Sequence, residues 1–208
     1  MRYFYVLNID DRNLSALIDG IRVLANPYIK HPAHITVRGP YNQKHNFSRI
    51  NDEIIGSKIK INGIGDFFGF NQNTVFLKCE SESLKKATYK KDYQDSFNPH
   101  ITLYDGNDKS FSEELYSILK RHTFNFNIFS SSIEPIVSRG KGGVKNDRRF
   151  ILRDEFYSNL SYYLKKEINY NEVLNLSKDE RLGLIEELCA FFDRNPNPNV
   201  CYSPIQST

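Results

Sequence analysis

The chain contains no tryptophan, one methionine and only three cysteines, Cys79, Cys189 and Cys201, in 208 residues. An odd, irregularly spaced set of cysteines argues against a disulfide-built scaffold and predicts a reduced, cytoplasmic setting. C-x-x-C and H-E-x-x-H spacings are both absent, which leaves a metal hydrolase little support. There is also no G-x-x-x-x-G-K-[ST], so the Gly-rich stretch near residue 140 is not a Walker loop. Long apolar runs are missing. A stretch such as Tyr3 to Leu7 falls far below the ~20 residues of a membrane helix, and no membrane partner is expected. The opening MRYFYVLNIDD has no basic segment followed by a long apolar one, so no secretory signal is expected.

What the chain does have is aromatic and apolar bulk. With 15 Phe, 13 Tyr and 39% hydrophobic residues it is no disordered or collagen-like chain. Its length suits one domain, or one domain plus an appendage, with a core that needs no staples. The net charge of +3 is unevenly spread: residues 154–208 hold nine acidic and five basic side chains, and the first 153 hold 16 acidic and 23 basic. A basic body with an acidic tail favours an anionic ligand such as a phosphate ester.

Periodicity predicts a strand over 2–9 and then an amphipathic helix over 11–25 carried by Leu14, Leu17, Ile18, Ile21 and Leu24. A strand over 33–37 is expected to stop at Gly39-Pro40, and a short helix follows over 47–55. Strands are predicted over 58–64 and 74–79, and a short helix over 81–89. A strand over 97–104 precedes a helix over 110–121 capped by Ser110 or Ser112, then strands over 123–130, 133–137 and 150–153. Beyond residue 153 the pattern turns helical, over 155–168 and 178–194, with Ser177 and Glu180 forming a capping box. The expected class is α+β with a C-terminal helical extension. The domain reading is a body over 1–153, an acidic helical extension over 154–194 and a disordered tail over 195–208.

Two segments repeat one another: Pro32-Ala33-His34-Ile35-Thr36-Val37 and Asn98-Pro99-His100-Ile101-Thr102-Leu103. Each has His, apolar, Thr, apolar on a predicted strand, with a Pro just before and a helix after. Side chains two apart share one face of a strand, so His34 joins Thr36 and His100 joins Thr102, while the Ile, Val and Leu residues face the core. Two imidazoles and two hydroxyls in one cleft suit phosphodiester chemistry. Near neutral pH an imidazole can act as base or acid, and hydroxyls can donate to non-bridging phosphate oxygens.

The pair HITV and HITL resembles the two H-x-T/S-x motifs of the two-histidine (2H) phosphoesterase superfamily, which includes bacterial RNA 2′,5′-ligase/cyclic phosphodiesterase proteins. The resemblance covers roughly residues 1–153. It implies a bilobal, duplicated fold with antiparallel sheets and outer helices, and catalysis without metal or organic cofactor. It carries over to His34, Thr36, His100 and Thr102. The expected substrates are a 2′,3′-cyclic phosphate, a 2′,5′ linkage or a cyclic oligonucleotide, with RNA among the partners.

Around these four, Arg38 at i+4 from His34 shares its face parity and is a candidate phosphate ligand. Tyr104 holds the equivalent place after His100 and is a candidate for stacking on a base; Tyr41 and Phe68 are weaker candidates for the same work. Arg139, Lys141 and Lys145 sit in a basic, Gly-rich loop that could fold over a nucleotide. His31 is expected on the opposite face from His34, while His45 and His122 are expected to be solvated. Two rival readings stand beside the enzyme: a catalytically silent nucleotide- or protein-binding module on the same fold, and a metal hydrolase built on His31, His34 and His100. Which histidine is the base stays open. For the C-terminal helices, three roles stay open: capping the cleft, forming a dimer, or holding a protein partner.

Overall fold

The computed structural model describes residues 2–29, 31–47, 52–88, 98–138 and 154–194. Along the chain lie β1 (Arg2–Ile9), α1 (Arg12–Ala25), β2 (His34–Tyr41), β3 (Lys58–Asp66), β4 (Thr74–Glu80), α2 (Glu82–Thr88), β5 (His100–Asp105), α3 (Lys109–Leu119), β6 (Asn125–Ser138), α4 (Asp154–Leu164), α5 (Tyr170–Asn175) and α6 (Lys178–Arg194). The strands join antiparallel in the order β1-β2-β5-β4-β3-β6 and close on themselves as a barrel. The architecture is α+β. None of the described helices is long and apolar enough to cross a membrane.

Helix α1 explains how the layers stack. The Asp11 side chain caps it by accepting from the Leu14 amide, and Leu14, Leu17, Ile18, Ile21 and Leu24 form its predicted stripe, each 0–1% exposed. The opposite side of α1 is buried too, because α4 and α6 lie over it. A β-carbon on Gly20 would sit 2.9 Å from Leu160 Cδ1 and 3.2 Å from Leu188 Cδ1. The hydrophobic core is therefore continuous from the outer face of the barrel, through α1, into Leu160, Ile185 and Leu188. The helical segment expected as an extension shares the core of the body.

Several boundaries differ from the expectation for identifiable reasons. Strand β2 runs past Gly39-Pro40 to Tyr41. Gly39 adopts φ +114°, and a β-carbon there would lie 2.6 Å from the Tyr3 carbonyl, so only glycine lets the two chains stay paired. Helix α3 is capped by Asp108, not by Ser110 or Ser112: its carboxylate accepts from the Phe111 amide at 2.9 Å. The two strands expected over 123–137 form one, β6, which pairs with β3 through Asn125–Phe129 and then changes partner to β1. Helix α4 ends at Leu164, where Lys165 takes a positive φ of 51°. Helix α5, unpredicted, carries a capping box of Asn169 and Glu172, and α6 has the expected box of Ser177 and Glu180. Of the free cysteines, Cys79 and Cys189 are buried. Part of the helix predicted over 47–55, the strand over 150–153, Cys201 and the tail over 195–208 lie outside the described residues.

Candidate active site

The two motif strands are neighbours. β2 and β5 pair antiparallel with Ile35 opposite Ile101. Antiparallel continuation sets His34 across from Thr102 and Thr36 across from His100, with all four side chains on one face. Cross-strand neighbours have β-carbons about 5 Å apart and diagonal ones about 7–8 Å, so the imidazoles occupy opposite corners of a small rectangle. Burial follows the same alternation. Ile35, Val37, Ile101 and Leu103 are 0–1% exposed, while the two histidines and two threonines are half-buried.

Details of the two strands repeat as closely as their sequences. His34 Nδ1 lies 2.7 Å from the Pro32 carbonyl, and His100 Nδ1 lies 2.7 Å from the Asn98 carbonyl. A carbonyl only accepts, so each Nδ1 carries the proton and each neutral ring holds its lone pair on Nε2. Each strand also carries a bulge directly after its threonine. Along β1 the partners step from Val6↔Thr36 to Tyr5↔Arg38, and along β4 they step from Phe76↔Thr102 to Val75↔Tyr104. One extra residue breaks the alternation of two.

The bulges overturn the parity argument for Arg38 and Tyr104. Arg38 is buried at 1% exposure opposite Tyr5. Tyr104 turns to the helix side, where its ring meets Phe111 of α3 at 5.1 Å. It lines a separate cleft of about 510 Å³ with Tyr28, Asp108 and Arg181. Tyr104 does not join the histidine face, and the bulge removes the parity that aligned Arg38 with His34. Tyr41 stands in an aromatic group with Tyr5, His45 and Phe47, its ring 4.4 Å from that of His45. Phe68 packs on Tyr116 at 5.6 Å. Arg139, Lys141 and Lys145 lie outside the described residues.

Three other histidines also differ from expectation. His31 precedes β2, so strand parity does not govern it, and its ring stands 6.4 Å from that of His34. His45 packs in the Tyr41 group, and His122 Nδ1 lies 2.7 Å from the Asp193 carboxylate. Among the described residues, no three His, Cys, Asp or Glu side chains group as a metal site.

Sequence reasoning missed the support behind the strands. On α1, Asp19 and Arg22 are 3% and 7% exposed and form an ion pair at 2.5 Å. Asp19 accepts from the Ala33 amide at 2.8 Å, one residue before His34. Arg22 Nε donates to the Thr102 carbonyl at 2.9 Å. One buried pair thus holds a backbone group of each motif strand. The signal in the sequence is two charges embedded in the apolar run from Ile18 to Leu24. Phe67 and Phe76 were also missed; they enclose the His100 ring at 5.3 and 4.8 Å.

These surroundings set the charge of both imidazoles. Burial, then the Arg22 cation, lowers the His34 pKa to about 4, outweighing the Pro32 carbonyl bond that favours the cation; His31 and His100 push the same way as Arg22. Burial also lowers the His100 pKa, against the Asn98 carbonyl and the Asp105 carboxylate, which both raise it. Both shifts favour the neutral ring near neutral pH, with Nε2 as the basic atom of each. No protein-family model matches the chain, and no curated protein matches it in sequence.

Proposed function

We propose that this protein is a phosphodiesterase of the two-histidine type, acting on nucleotide or oligonucleotide phosphodiesters without metal. The observation that carries the reading is the Ile35↔Ile101 register, which gathers His34, Thr36, His100 and Thr102 on one face. The matched Nδ1 bonds and matched bulges support the duplicated, bilobal fold of that superfamily.

The surrounding charges divide the roles. Arg22 bonds the carbonyl of Thr102, the residue across from His34, and disfavours an imidazolium there; Asp105, on the strand of His100, favours one. His34 is therefore the base and His100 the acid. His34 Nε2 takes the proton of the attacking water or hydroxyl as its oxygen bonds to phosphorus. His100 Nε2 gives its proton to the leaving oxygen as the old P–O bond breaks. Thr36 and Thr102 donate to the non-bridging oxygens, where charge concentrates. A phosphate anion bound beside it favours the imidazolium on His100 that burial disfavours.

The test is incubation with 2′,3′-cyclic phosphate-ended, 2′,5′-linked and cyclic oligonucleotides in a strong chelator, with products identified by mass spectrometry. Turnover is expected, and His34→Ala or His100→Ala each lowers it by roughly 10²-fold or more. The kcat/KM profile should be bell-shaped with its maximum below the ordinary histidine pKa of ~6.5. No turnover of any substrate, or near-normal turnover in either variant, defeats the reading.

A further inference from the structure

The site face extends well past the four motif residues, and its two walls differ in charge. Next to β5, the register sets Lys78 opposite His100 and Phe76 opposite Thr102. On β3, Lys60 stands opposite Glu80, which shares the face of Lys78. On β6, Phe129 stands opposite Lys58 and Asn127 opposite Lys60. Lys58, Lys60 and Lys78 are exposed, and Phe129 is 60% exposed, a bare ring on a sheet face. The facing carboxylate on this wall, Glu80, accepts from Asn62 Nδ2 at 3.0 Å, and no described carboxylate pairs with the three ammonium groups. The other wall, β1 and the end of β6, presents Val6, Asn8 and Glu134, with Asn8 Nδ2 donating to Glu134 at 2.7 Å. The lysines attract a polyanion leaving the histidines across β4 and β3, whereas on the other wall Arg2, on the same face of β1 as Val6, and Glu134 offset one another.

We infer that the wall formed by Lys78, Lys60, Lys58 and Phe129 is a track for a single-stranded polynucleotide, whose scissile phosphate lies at the histidines and whose leaving-group side runs over β4, β3 and β6. This rests on the phosphodiesterase reading and narrows it from a lone cyclic mononucleotide to a chain. Strands lie about 4.8 Å apart, so the path from β5 to β6 spans about 14 Å, more than one phosphate needs. Cations spaced along a path track a phosphate backbone, and an exposed ring offers a stacking surface to any base.

The test is fluorescence anisotropy with labelled single-stranded RNA and DNA as mono-, di-, tetra- and octanucleotides, on a His34→Ala background that keeps bound RNA intact. Affinity should tighten by roughly tenfold or more from di- to octanucleotide. Lys60→Ala and Lys78→Ala should each lower the slope of log affinity against log salt by about 0.7, and Phe129→Ala should weaken tetranucleotide binding roughly tenfold. The RNA and DNA series separate the two sources of chain. Length-independent binding overturns the track, as does equal competition by polyglutamate, which would mark a surface that reads charge alone. Wild-type turnover of a cyclic mononucleotide with length-independent binding would remove the track and leave the phosphodiesterase reading standing. Length-dependent binding with no turnover of any substrate would keep the track and remove that reading.

Discussion

Replacing Asp19 by Asn isolates the buried charge pair on α1. The substitution keeps the shape of the side chain and an oxygen that can still accept from the Ala33 amide at the native 2.8 Å. It removes the negative charge beside Arg22, a residue only 7% exposed. An uncompensated buried charge costs about 3–5 kcal/mol, a large part of the ~5–15 kcal/mol that holds a domain folded. For a chain of this size that corresponds to a fall in Tm of roughly 6–20 °C. The informative companion is Asp19→Asn with Arg22→Met. The second change removes the stranded cation and leaves one lost bond, at the Thr102 carbonyl, worth about 1–3 kcal/mol. The double variant should therefore be more stable than Asp19→Asn alone, a coupling that urea titrations of the four proteins in the cycle measure directly. A loss below about 1 kcal/mol in Asp19→Asn, or a double variant less stable than the single, refutes the reasoning.

Two further outcomes follow from the site itself. Because His34 titrates near 4 when folded and near ~6.5 when unfolded, the unfolded chain binds more protons between those values, so stability should fall by up to about 3 kcal/mol as pH drops through that window; urea midpoints that stay level from pH 7 to pH 4, or a fall undiminished in His34→Gln, would contradict it. Thr36→Val and Thr102→Val keep the β-branched shape, so circular dichroism and Tm should be nearly unchanged while kcat falls roughly tenfold or more; unchanged kcat would mark both threonines as structural.

Much of the site could be read from the chain because it depends on local rules. His34 and Thr36, or His100 and Thr102, share a face by simple alternation, and the repeated Pro, His and Thr signalled that the two strands belong together. What alternation could not supply was the interruption after each threonine. A bulge arises from pairing with a neighbouring strand, here β1 for Arg38 and β4 for Tyr104, so alternation along one strand does not locate it. Asp19 and Arg22 were illegible for a related reason. On an amphipathic helix they fall outside the apolar stripe, and only tertiary partners distant in sequence, the Ala33 amide and the Thr102 carbonyl, give that side its buried role. Lys78 and Phe129 needed the strand order as well, since their meaning comes from lying across from His100 and Lys58.

The placement of α4 and α6 over α1 also constrains what can be removed from this molecule. A fragment ending at residue 153 would keep both HIT motifs yet leave Gly20 and its neighbours as a greasy scar on the helix whose Asp19 and Arg22 tether the motif backbones. Protease trimming or minimal-fragment cloning guided by the motifs alone would discard the lid of the very helix that keeps the two strands in step.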